Sequence, residues 1–323
     1  MSEYIKKQLI YRYRAVTEHT VLELMSDDFV LSSSDTFNDE HDMAISFDLE
    51  KAYNSFKSNE KFLKKLSEET AARRKKSYEE RLQYLQSSKG AHIVKVFTNY
   101  LFTTYVKSLK SKLLVGCFTD VYDNGAMWAH YSSNGKGFVV GYDKAAVESS
   151  INNADAYRGK SFFEEVIYGE KPYDITDTFV NYINKILENN DSFLIDNSEF
   201  LALNLFILED NKELNDSLIR KNSVWSYERE KRIIAYNLES RGRQHVSMAK
   251  VKPEIVILGE KMTLPDKYLI VSICVKKGIE LFVVEPSYRK EDFKIGIRPL
   301  LSIEIDHLLN SFADYLKLDG LVN

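Results

Sequence analysis

The chain is short of the residues that cross-link or interrupt a fold: in 323 residues it has two cysteines, five prolines and 13 glycines. Cys117 and Cys274 lie far apart inside apolar, strand-like runs, with no CxxC pair or Cys/His cluster nearby. That excludes a disulfide framework, points to no metal, and leaves two buried thiols. No stretch approaches the roughly 18 uninterrupted apolar residues of a membrane span. The polar start Met-Ser-Glu-Tyr-Ile-Lys-Lys also lacks the apolar region of a signal peptide, so a cytoplasmic protein without membrane contact is expected. Neither GxGxxG nor GxxxxGK[ST] occurs, which disfavours a dinucleotide-binding or P-loop domain. No internal repeat or low-complexity linker is visible.

What is present is a globular composition, 44% apolar and 28% charged, enough for a sizeable core in one domain over 1–323. The formal charge of -4 conceals an asymmetry. Lys57 to Lys112 holds 14 Lys/Arg against 5 Asp/Glu, and Arg220 to Lys252 holds 9 against 3. Such runs are usually solvated helix faces; gathered on one surface they would hold phosphates.

Periodicity gives an α+β chain. Gln8–Arg14 alternates as a strand, with Tyr11 and Tyr13 on one face and Arg12 and Arg14 on the other. Two arginines in a core strand are costly unless paired, so at least one is expected at a cleft or, by default, the surface. A helix from Thr17 or Glu18 to about Met25 and a strand at Phe29–Ser33 follow. Residues 50–112 lack proline and mix Lys, Glu, Ser and Leu, as two or three amphipathic helices would, and 173–221 is again helical. Both read as insertions. Strands are expected at Leu113–Phe118, Gly137–Tyr142, Phe162–Tyr168 and Trp225–Tyr236. Three more, Glu254–Gly259, Tyr268–Val275 and Ile279–Val284, would complete the sheet, and 300–318 is a C-terminal packing helix.

Two stretches carry chemistry. In the first, Asp123 or Asn124 caps a short helix crowded by Met127, Trp128, His130 and Tyr131, Asn134-Gly135 closes it, and a glycine-bounded strand follows. In the second, strand alternation over Trp225–Tyr236 puts Glu228, Glu230 and Arg232 on one face and Arg229, Lys231 and Ile233 on the other.

These stretches resemble a bacterial family catalogued as domain of unknown function 2971, in which a Met-Trp-Ala-His-Tyr helix runs into a Gly-x-Gly-Phe strand. Tyr11-Arg-Tyr-Arg14, Phe37-Asn-Asp39, Cys117-Phe-Thr119, Trp225-Ser-Tyr-Glu-Arg-Glu-Lys-Arg232 and Ile255-Val-Ile-Leu-Gly259 follow the family's pattern in order. More distantly, the pattern resembles the ADP-ribosyltransferase fold of the Arg-Ser-Glu type. That implies a mixed or antiparallel β core with two helical insertions, and NAD+ as the substrate. It also implies an NAD+-holding arginine on the first strand (Arg12 or Arg14, beside Tyr11), a serine strand (Ser32 to Ser34, centred on Ser33) and an essential Glu230 preceded by Glu228. His130 and Tyr131 would face the nicotinamide. A carboxylate fixed against a ribose hydroxyl stabilises the oxocarbenium-like ribose formed when nicotinamide leaves, provided its own scaffold does not neutralise it.

The structural alternatives are that Glu228 or Glu230 only salt-bridges Arg232 or Arg12, and that His130 is a hydrogen-bonded core residue. The resemblance further implies a bacterial toxin or antiphage effector with an antitoxin or inhibitor as partner. The cations around Glu228 and Glu230 (Arg220, Lys221, Arg229, Lys231, Arg241, Arg243, Lys250, Lys252), with Trp225, Tyr227 or Tyr236 for stacking, favour a nucleic-acid acceptor over a protein one. The other reading is a non-transferase defence module whose aromatic cleft binds a nucleotide or partner.

Overall fold

The computed structural model describes residues 8–34, 37, 39, 42–74, 77–152, 161–188, 212–236, 245–285 and 295–318. These form a mixed α+β structure. Its main sheet runs in the order β11 (His245–Lys250), β2 (Asp28–Ser33), β4 (Leu113–Thr119), β1 (Leu9–Arg14), β5 (Phe138–Asp143), β12 (Ile255–Leu258), β13 (Glu280–Val284) and β14 (Ile297–Pro299). On β4, β10 (Glu230–Tyr236) adds as a further partner and carries β6 (Ser161–Glu165) on its far side. Pairing is antiparallel except between β12 and β13.

The parallel pair needs a crossover, and the chain supplies one by folding the expected strand Tyr268–Val275 as part of a helix, Leu264–Lys277. Local signals outweighed its apolar run. Thr263 caps the Asp266 amide, Pro265 sits in the first turn and Gly278 closes the end at φ 61. Ile270, Val271 and Cys274 then share the buried face.

The sheet splits where the site forms. Along one edge β4 meets β2 at Ser32↔Val115 and Ser33↔Leu114, then meets β1 at Tyr11↔Thr119, so β1 and β2 part over Gly116, Cys117 and Phe118. Gly116 is required by β2, because a Cβ there would lie 2.5 Å from Leu31 Cδ2 and 3.2 Å from Phe29 Cζ. A Gly116→Ala variant is therefore expected to lose about 1–3 kcal/mol of stability by overpacking, measurable by urea denaturation.

One face of the sheet is covered by four insertion helices, α2 (Leu49–Phe56), α3 (Glu60–Arg74), α4 (Tyr78–Gln86) and α5 (Ala91–Lys110), where two or three were expected. With α8 (Thr176–Glu188) they pack on Leu113, Val115 and Ile234. In the second insertion, whose residues 189–211 lie outside the described residues, β8 (Tyr173–Asp174) precedes α8, and a helix at Lys212–Leu218 leads into a strand, β9 (Arg220–Asn222), parallel to β7 (Ile167–Gly169). The opposite face packs against α1 (Glu18–Ser26), capped by Thr17, and against Leu264–Lys277 and the C-terminal helix Ser302–Leu318. Among the described residues no helix is long and apolar enough to cross a membrane.

Candidate functional site

Where β1 and β2 part, a cavity of about 420 Å³ opens, within the usual size of ligand pockets. Its lining joins Tyr11, Arg12, Tyr13 and Arg14 from β1, Cys117 and Phe118 from β4, Tyr131 from α6 (Gly125–Tyr131), Lys221 from β9, and Glu228 and Glu230.

One end is cationic. β1 alternates as its sequence requires, but Arg12 turns inward instead of reaching the surface. It is 7% exposed, with its guanidinium 5.2 Å from the Phe29 ring and 5.5 Å from that of Phe118. Glu23 of α1 serves both arginines, 2.6 Å from Arg14 and 3.9 Å from Arg12 Nη1. Among the described residues Arg12 Nη1 has no hydrogen-bond partner. Burial, then Arg14, lowers the Arg12 pKa to about 10, so the group stays cationic at neutral pH with a donor unused.

The other end is a buried charge network. Arg232, fully buried, grips Glu230 through Nε–Oε1 (2.7 Å) and Nη2–Oε2 (3.0 Å), and Asp42 at 2.7–2.8 Å. Lys221 Nζ lies 2.5 Å from Glu228 Oε2, 2.9 Å from Glu230 Oε2 and 3.6 Å from Asp42. Tyr131 donates its hydroxyl to Glu228 Oε1 at 2.6 Å. Burial resists ionisation of Glu230, yet Arg232 and Lys221 outweigh it and hold the carboxyl at about 2. Glu228 moves the other way: burial raises it in spite of Lys221 and Tyr131. Burial and the neighbouring Glu230 push the Cys117 thiol well up, so it stays protonated.

The local fold departs from the expected strand at Trp225–Tyr236. Asn222 caps a 3-10 turn, Ser223–Glu228, and Arg229 at φ 46 turns the chain into β10. Glu228 therefore reaches Lys221 from a turn, while Glu230 reaches both Lys221 and Arg232 from the strand that also carries Arg232. The helix α6 is capped by Asn124, whose side chain accepts from Ala126 and Met127 and donates to Tyr227 O. The tight turn after it has Ser133, Asn134 and Gly135 all at positive φ.

Of the residues singled out in the sequence, Tyr11, Arg12, Arg14, Tyr131, Glu228 and Glu230 meet in this cavity. Ser33 does not; its strand neighbour Ser32 lines the cavity instead. The strand between the arginine strand and the glutamate strand is β4, whose Thr119 is paired with both Tyr11 and Glu230. His130 is exposed, 6.2 Å from the Trp225 ring and outside the cavity lining.

The requirement that the essential acid be free of its scaffold is not met by Glu230. Trp225 is half-buried over Lys221. Lys221 and Lys231 are buried in ion pairs, the latter with Glu165, and exposed Arg229 pairs with Asp120, which removes part of the expected cationic surface. Arg241, Arg243 and the Tyr236 side chain lie outside the described residues. Sequence reasoning did not assign Asp42 to the site, since it lies far from Glu230 along the chain and no periodicity marks it, and it placed Lys221 on a cationic acceptor surface, not in the buried ion-pair network it joins.

Comparison with curated proteins and with solved structures returned no match. Residues 127–233 match the model of the family described as Protein of unknown function (DUF2971), a stretch running from the Met127-Trp-Ala-His-Tyr131 helix through Lys221, Glu228, Glu230 and Arg232, and over this stretch the resemblance to that family holds.

Proposed function

We propose that the cavity binds NAD+ and transfers its ADP-ribose to a macromolecule. The observation that carries this is the polarity of this cavity. Arg12, Arg14 and Glu23 leave one positive charge at one end, and Asp42, Glu228, Glu230, Lys221 and Arg232 leave one negative charge at the other. NAD+ has the matching arrangement, an anionic pyrophosphate and a cationic nicotinamide joined by ribose.

On this reading Arg12 and Arg14 hold the pyrophosphate. The bond between nicotinamide and ribose C1′ breaks, its electron pair leaving on neutral nicotinamide, and the positive charge developing on the ribose is stabilised by the anionic end of the cavity. The acceptor forms the new bond to C1′ and loses its proton to solvent. Glu228 is the carboxylate we assign to that role, because Glu230 is committed to Arg232. The acceptor reading favours nucleic acid, with Trp225 and Tyr227, whose rings lie 6.0 Å apart, as stacking surfaces. The protein would then be a toxin or antiphage effector whose cell carries an antitoxin or inhibitor.

A second reading, a nucleotide-binding defence module without transferase activity, is favoured by the same neutralised Glu230. Incubation with labelled NAD+ separates the two: release of nicotinamide supports the transferase, binding without release supports the module, and neither binding nor release removes both. Arg12→Met is expected to weaken NAD+ binding about 10–100-fold, the value of a charge-assisted hydrogen bond of about 1.5–3 kcal/mol, measured by calorimetry.

A further inference from the structure

Lys221 stands out among the buried charges. It comes from β9, which pairs in parallel with β7 at Tyr168↔Lys221, and the Tyr168 hydroxyl in turn accepts the Glu230 amide at 2.8 Å. Lys221 is 5% exposed, and its ammonium lies within 3.6 Å of three carboxylates, Asp42, Glu228 and Glu230. Arg232 reaches only Asp42 and Glu230. Among the described residues, then, Lys221 is the one cation in an ion pair with Glu228.

We propose that Lys221 is a positioning residue that keeps Glu228 ionised and turned with Oε1 toward Tyr131 and the cavity. As far as activity goes, this rests on the reading of Glu228 as the acting carboxylate. Glu228 is faced by Lys221 from β9, by Tyr131 from α6 and by Glu230 from β10. Tyr227 on its own turn and Tyr168 on β7 lie farther off, with Asp42, Arg232 and Cys117 behind Glu230 and the Arg12–Arg14 pair across the cavity. Without the ammonium, the remaining close partners are a phenol and a like-charged carboxylate. A carboxyl buried beside another carboxylate takes up a proton, and a neutral Glu228 has no charge to set against a developing cation.

Folding also depends on this network, so the test needs a readout that a purely structural role would not move. At pH 7, Lys221→Met is expected to show the infrared C=O stretch of a protonated carboxyl, absent from the wild type and from the Lys221→Met/Glu228→Gln double variant. In nicotinamide release, its acid limb should move up by about 1–3 pH units, and Lys221→Arg should restore the wild-type limb. Lys221→Gln, closer in polarity, replaces the methionine variant if that one does not fold.

Absence of the protonated-carboxyl band in the neutral variants, or an activity lowered equally at every pH, would overturn the proposal. A band that appears in Lys221→Met when the wild type itself releases no nicotinamide supports the role of Lys221 while removing the NAD+ reading.

Discussion

Replacing Arg232 with methionine is expected to lower the unfolding free energy by about 3–5 kcal/mol, the usual cost of breaking a buried ion pair from one side. The side chain is fully buried and makes two bidentate contacts, to Glu230 and to Asp42. Methionine fills much of its volume but leaves two buried carboxylates to share Lys221 with Glu228.

The pH dependence gives a second check. Glu230 is held at about 2, below its ordinary 4.5, so its contribution is complete above pH 4.5 and is lost as pH falls toward 2; a shift of that size corresponds to about 3 kcal/mol. Glu228 has the opposite sign: its carboxyl is raised, so it favours the fold at low pH and opposes it once ionised. In Arg232→Met the Glu230 dependence should flatten or reverse. Urea denaturation at pH 7 and pH 4 measures both effects. A variant as stable as the wild type at pH 7 would show that the network is dispensable for folding.

The second large effect separates the two glutamates. Glu228→Gln keeps the hydrogen bond from Tyr131 and leaves Lys221 its partners Glu230 and Asp42, so a loss of only about 1–2 kcal/mol is expected. Under the proposed function, nicotinamide release should fall about 10²–10³-fold, the cost of removing one electrostatic stabiliser of a transition state. Glu230→Gln should behave differently. The buried grip of Arg232 predicts for it a loss of about 3 kcal/mol or more. Melting curves and nicotinamide release on the same two preparations decide the matter. Full activity in Glu228→Gln would end its assignment as the acting carboxylate.

The sequence by itself determined the mixed α+β class, the arginine strand with its alternating faces, and the capped Met127–Tyr131 helix with its left-handed turn. It also marked six side chains that meet in the cavity, because alternation, capping and glycine placement are local properties of a few residues. Leu264–Lys277 shows where that reading stops. Its apolar run suits a strand or a helix equally, and the choice was made by Thr263 and Gly278 at its ends together with the crossover needed to lay β13 parallel to β12.

Only the tertiary structure decided what Glu228 and Glu230 are. Their state depends on Asp42, Lys221 and Arg232, which arrive from a loop, an insertion's last strand and the sheet itself. Burial raises the strength of every charge contact among them, so which carboxylate is held ionised and which is left near the cavity is set by distances of a few ångströms between segments far apart in the chain, and no local pattern encodes those.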